Sequence, residues 1–120
     1  MKTAIIGSRN ITNYELLKQA AKGLTITGVI SGGAMGADQL AERYAQENGL
    51  PLLIIPADWN AHGKSAGMVR NAEIVKTAEQ VIALWDGQSK GTEGTIQMAK
   101  KAGKPVKVAK TSQESQMSLF

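Results

Sequence analysis

Three short loops and one basic segment hold most of the residues in this chain that could do chemistry. Gly7-Ser8-Arg9 is the first loop. Ser31-Gly32-Gly33-Ala34 is the second, with Gly36 and Asp38 close behind. Asp86-Gly87 with Ser89, Gly91 and Thr92 is the third. Each sets small residues beside a hydroxyl or a charge. Glycines let backbone N–H groups approach an anion, and a helix that begins near Gly36 aims its positive end at the same place. The plainer reading is that glycines at strand ends make tight turns. Three such loops on one edge favour the anion. The basic segment runs through Asp58-Trp59-Asn60, Gly63-Lys64, Ala66-Gly67 and Arg70-Asn71. Lys64 and Arg70 suit a phosphate or carboxylate. Asp58 could accept from a ribose hydroxyl, and Trp59 could lie against a base or cover a pocket. The plainer reading makes Trp59 a core filler and Lys64 a solvated charge.

Several familiar motifs fail on inspection. Gly63-Lys64-Ser65 resembles the end of a phosphate-binding P-loop, but the first glycine of that pattern falls at Asp58. Gly7 stands alone, so the first loop is no dinucleotide fingerprint. His62 is the only histidine and cysteine is absent, which excludes disulfides, thiolate metal sites and a histidine-rich zinc site; no metal is expected. Asp38, Glu42, Asp58 and Asp86 are the candidate acid or base groups, although no catalytic residue is assigned. Asp38 falls on the first turn of its helix, where the dipole favours its charged form.

The elements that must position these residues follow from periodicity. Apolar runs at Thr3–Ile6, Ile26–Ile30, Leu52–Ile55, Val81–Trp85 and Pro105–Ala109 predict five strands. Between them, three-four spacings predict helices through Leu16–Ala21, Ala37–Ala45, Met68–Ala78 and Thr95–Ala102, with residues after Pro56 as a polar loop. A βαβαβαβαβ order predicts an α/β, Rossmann-like open parallel sheet with helices on both faces. Ligands of such sheets bind beyond the carboxyl ends of the strands, which is where all three loops fall.

Composition bounds the answer further. With 120 residues and 42% hydrophobic content, the chain suits one compact domain over residues 1–110, followed by a polar tail at 111–120 with an apolar end. No apolar run is long enough to span a bilayer or make a signal-peptide core, so a cytoplasmic location is expected. Residues 1–99 carry nine basic and nine acidic groups, whereas residues 100–110 carry five lysines and no acid. The net charge of +4 therefore reports one lysine-rich segment, and aromatic content of 4% leaves little for base-stacking platforms. A broad nucleic-acid surface is not expected.

The loops above, with Ala37-Asp38, Pro56-Ala57-Asp58-Trp59, Gly63-Lys64-x-Ala66-Gly67-x-x-Arg70-Asn71 and Trp85-Asp86-Gly87-x-Ser89-x-Gly91-Thr92 in order, resemble the SLOG superfamily over residues 2–109. The branch they most resemble is the YspA/YpsA-related group, a small domain of bacteria and phages. The resemblance implies a Rossmann-like domain that binds nucleotides or nucleotide-derived ligands, as sensor or sequestering protein, and related domains often form homo-oligomers. Relatives include the LOG phosphoribohydrolases, the DNA-processing protein DprA and ligand sensors of antiphage systems. LOG enzymes carry P-G-G-x-G-T-x-x-E, whose glutamate serves hydrolysis of an N-glycosidic bond. Here Thr95 occupies that position and Glu93 is displaced by two residues. Binding without turnover is the expectation, with a nucleotide-processing hydrolase as the alternative.

The last five residues, Gln116, Met117, Ser118, Leu119 and Phe120, resemble the peptide by which bacterial proteins dock on the DNA-polymerase sliding clamp. Leu119 and Phe120 would fill an apolar pocket, with Gln116 supplying orienting hydrogen bonds and Met117 replacing the usual leucine. The alternative is a tail that packs on its own domain. A role as replication-associated adaptor is compatible with either activity of the domain.

Overall fold

In the computed structural model, which describes residues 1–111, five parallel strands form one open sheet. The elements in chain order are β1 (Lys2–Gly7), α1 (Tyr14–Ala21), β2 (Gly28–Ser31), α2 (Ala37–Glu47) and β3 (Leu52–Ile54). Then follow α3 (Trp59–His62), a 3-10 turn (Gly63–Ser65), α4 (Ala66–Thr77), β4 (Gln80–Trp85), α5 (Lys90–Lys101) and β5 (Val106–Lys110). The strand order is β3-β2-β1-β4-β5. This is the expected Rossmann-like α/β architecture.

Alternation along the strands builds two cores. Ile5, Val29, Ile82 and Leu84 point to one face, where Leu17 of α1 and Leu40 and Ala41 of α2 cover them. Ala4, Ile6, Ile30, Val81 and Ala83 point to the other, beneath Ile74 and Val75 of α4 and Ile96 and Ala99 of α5. Near-continuous apolar strands are what two covered faces require. Each fully buried Ile or Leu contributes about 1.5–3 kcal/mol.

Register fixes the functional edge. Thr3 pairs with Gln80 and Gly7 with Leu84, so β1 and β4 end side by side. The chain winds outwards from β1 through β2 to β3, then crosses back to β4. The gap above β1 and β4 is the point where the winding reverses, and loops from both halves splay apart there.

Several boundaries differ from expectation. β2 begins at Gly28 because its pairing with β1 starts at Lys2; Ile26 instead packs on the α1–α2 core ahead of the strand. β3 ends at Ile54, although the Ile55 N–H still donates to the Ser31 carbonyl at 2.8 Å. The polar stretch after Pro56 is no loop: Asp58 caps a single helical turn, accepting from the Ala61 N–H at 3.0 Å. One turn buries too little to leave an apolar periodicity. At the far end, the Thr111 N–H donates to the Trp85 carbonyl at 2.8 Å, just past the end of β5. The clamp-like segment with Gln116, Met117, Leu119 and Phe120 lies outside the described residues.

Candidate functional site

A cleft of about 440 Å³ opens above the ends of β1 and β4, within the range of small-molecule sites. Its floor is set by Ser8. The Ser8 N–H donates to the Leu84 carbonyl at 3.0 Å, and the Ser8 carbonyl accepts from Ala37 at the start of α2 at 3.2 Å. The Ser8 hydroxyl accepts from the Asp86 N–H at 3.2 Å and lies 3.4 Å from Thr92 Oγ1. One buried serine thus ties together the ends of two strands and the starts of two helices.

The expected glycines divide by role. Gly7 and Gly91 line the cleft together with Ser8, Arg9, Ala34 and Asp38. Gly36 does not. Its φ is +70°, and a Cβ there would lie 2.2 Å from the Arg9 carbonyl oxygen. Gly36 lets the second loop pack on the first. Gly7 also has a packing duty, since a Cβ would lie 2.1 Å from the Leu84 carbonyl oxygen. Ser31, Gly32, Gly33, Gly87 and Asp58 likewise fall outside the lining. Ser31 Oγ donates to the Asp38 carbonyl and accepts from the Gly33 N–H, each at 3.3 Å. The Gly32 carbonyl accepts from Arg70, Gly87 packs against the Lys110 side chain, and Asp58 is spent on capping α3. These residues shape the cleft from behind.

The third loop supplies the polar wall. Asp86, Ser89 and Thr92 all face the cleft. Ser89 caps α5, its hydroxyl accepting from the Thr92 N–H at 3.3 Å. The N–H groups of Lys90 and Gly91 find no acceptor among the described residues, so the positive end of α5 stays open to an anion. Thr95, where LOG enzymes place glutamate, is buried and donates to the Gly91 carbonyl at 2.9 Å.

The opposite wall comes from α3 and α4. Trp59, 55% exposed, lines the cleft with Lys64, Arg70 and Asn71. Gly67, Met68, Asn71 and Ile74 recur on α4 at helical spacing and face inward. Arg70 Nη1 donates to the Gly32 carbonyl and Arg70 Nε to Asn71 Oδ1, both at 2.8 Å. Met35, Met68, Asn10, Ile6, Ile74 and Thr95 were not expected as wall residues. For Met68 and Ile74 the signal was present, since the α4 stripe that reads as core continues upward into the cleft. Met35 carries no signal beyond its place between Ala34 and Gly36.

Two carboxylates face the cleft in opposed environments. Burial pushes the Asp38 carboxyl above its ordinary range, against the opposing pull of the Ala34 N–H and the nearby Arg70. The N–H groups of Ser89 and Gln88 hold Asp86 below its ordinary range. Glu42 does not line the cleft, and among the described residues no cluster of three or more His, Asp or Glu could hold a metal. No helix among them is long and apolar enough to cross a membrane.

Comparison with known proteins bears on the first half of this site. Residues 1–62 match the family model described as the YspA, cpYpsA-related SLOG family. That span contains the Ser8 loop, the Ser31–Asp38 loop and α3. The Gene 61 protein of Mycobacterium phage D29 is 42% identical over 84 residues, which span 65% of this chain and 67% of that protein.

Proposed function

Because the chain belongs to the YspA, cpYpsA-related SLOG family, we propose that its cleft binds a nucleotide or nucleotide-derived ligand and holds it without turnover. One observation carries this reading: a cleft at the winding reversal faces the free N–H groups of α5 on one wall and an exposed indole, Trp59, on the other. Arg9, Lys64 and Arg70 add positive charge around it. A phosphate suits the α5 end, where N–H donors and dipole act together. A planar ring suits Trp59.

Binding in place of hydrolysis rests on the carboxylates. A hydrolase of the LOG type needs a glutamate at the α5 start, and here Thr95 holds its proton on the Gly91 carbonyl. Asp86 Oδ1 is taken by two backbone donors of its own loop. A hydrolase would have to use Asp38, whose carboxyl accepts from the Ala34 N–H at 3.0 Å, or the remaining oxygen of Asp86.

Calorimetry with AMP, GMP, CMP, UMP, ribose 5-phosphate and adenine tests the reading. A monophosphate is expected to bind more tightly than either fragment, and Arg9→Ala with Lys64→Ala to weaken it. Absence of heat with every nucleotide rejects the site. Mass spectrometry after prolonged incubation should return the nucleotide intact; free base or ribose 5-phosphate would assign the hydrolase instead.

A further inference from the structure

Arg70 and Asn71 are neighbours on α4, yet their side chains do different things. The Arg70 guanidinium is anchored at one corner by the Gly32 carbonyl and offers its Nε–H to Asn71 Oδ1, both at 2.8 Å. An arginine donates only, so this contact decides which way the carboxamide faces. Its oxygen is taken. Its Nδ2 donors find no acceptor among the described residues, and Asn71 lines the cleft. No buried side-chain donor lacks a partner among them, so the Asn71 amide is open to the cleft and not sealed in the core.

Its surroundings say what it would meet. Asn71 shares its inward stripe with Met68 three residues before and Ile74 three residues after, each about 4.5 Å away along the helix. The Trp59 indole rests on the first turn of α4, its Cη2 atom 4.0 Å from where a Cβ on Gly67 would sit. A flat ring on Trp59 would therefore turn an edge, not a phosphate, towards Asn71. An oriented polar group set between apolar side chains is how small-molecule sites fix orientation.

We infer that Asn71 reads a hydrogen-bond acceptor on the edge of the ligand's ring, and that Arg70 is the positioning residue that keeps the carboxamide donating. The inference rests on the nucleotide reading above and narrows it: ligands with an unprotonated ring nitrogen or carbonyl at that edge are selected over isosteres carrying a C–H or N–H there. Two of the five Arg70 donors, Nε–H and one on Nη1, hold protein groups, which fixes the guanidinium in place beside the amide.

Titration of the full chain with AMP and with its 1-deaza, 3-deaza and 7-deaza analogues tests this. Each analogue replaces one ring nitrogen by C–H. Losing one such bond weakens binding about fivefold to tenfold, so one analogue should bind that much more weakly than AMP. In Asn71→Asp the carboxylate still accepts from Arg70 but turns an acceptor to the ring. AMP should weaken and that analogue should match or exceed it. Arg70→Lys, which cannot hold the Gly32 carbonyl and the amide together, should bring the ratio towards one. Thermal unfolding checks that both variants fold, and the comparison on the unaltered chain stands by itself if one does not. Equal binding of AMP and all three analogues to the unaltered chain, or a ratio unchanged in Asn71→Asp, overturns the inference and leaves nucleotide binding standing. Failure of AMP to bind the unaltered chain overturns this inference; failure of every nucleotide overturns the wider reading too.

Discussion

Ser8 Oγ and Thr92 Oγ1 lie 3.4 Å apart although 84 residues separate them in sequence. The pair closes the floor of the cleft, and the Asp86 N–H completes it by donating to the same Ser8 hydroxyl. Ser8 is 3% exposed. A donor left without its partner in such a place costs about 1–3 kcal/mol.

Ser8→Ala should therefore unfold earlier. A loss of that size shifts the midpoint by about 4–8 °C per kcal/mol in a domain near this size. Thermal or urea unfolding measures it. A midpoint unchanged within error would show that the Asp86 N–H finds another acceptor.

Gly36 and Gly91 should respond in opposite ways to alanine. At Gly36 the positive φ costs roughly 1–3 kcal/mol for a side chain, and the collision with the Arg9 carbonyl adds to it. At Gly91 nothing lies within 4 Å of an added Cβ, so Gly91→Ala should leave stability level or raise it by up to about 1 kcal/mol. Gly91 nevertheless lines the cleft. Its variant should bind nucleotide more weakly at an unfolding midpoint that is unchanged or raised, a separation that unfolding and calorimetry on one preparation can read.

Trp59 offers a complementary case. More than half exposed, with no buried residue in its helix, it contributes little to the core. Trp59→Ala should leave the unfolding midpoint nearly unchanged. A stacked base is worth about 1–3 kcal/mol, or roughly fivefold to 150-fold in affinity. Loss of stability without loss of affinity would assign Trp59 to packing.

The two cleft carboxyls predict opposite pH responses. Asp38 has its pKa raised by burial, so its contribution to folding is fullest below its unfolded pKa and falls as pH rises through the folded value. Asp86 has its pKa lowered by the Ser89 and Gln88 N–H groups. Its contribution is present above the unfolded pKa and is lost as pH falls through the folded value. In an amide NMR titration the Ala34 signal should inflect above the ordinary aspartate range, and those of Gln88 and Ser89 below it. Asp38→Asn should remove the first inflection and Asp86→Asn the second. A common midpoint for all three amides contradicts the opposed environments.

The strands and four of the helices were legible because β-branched runs and three-four spacing repeat along the chain, and the sheet-edge rule then brought the three loops together. α3 was not legible. Four residues with nothing buried leave only a capping aspartate as a trace, and Asp58 reads equally well as a ligand group. Glycine meaning was also hidden. Gly7 and Gly36 look like Gly91 in sequence, but the first two make room for backbone and the third makes room at the cleft. The orientation of the Asn71 amide depends on an arginine being held from another loop, which no local pattern records.

The pairing of β1 has a consequence for synthesis. Its inner edge is satisfied on one side by β2 and on the other by β4, from Thr3–Gln80 to Gly7–Leu84. Once residues 1–54 are free to fold, β1, β2 and β3 can pair, yet the central strand then presents five residues of unmet backbone to whatever is nearby. Such an exposed edge invites pairing with other chains. The cleft is also without half its walls until α5 has begun. Ligand cannot guide the early steps of folding, and the arrival of β4 decides whether the nascent sheet is sealed or captured.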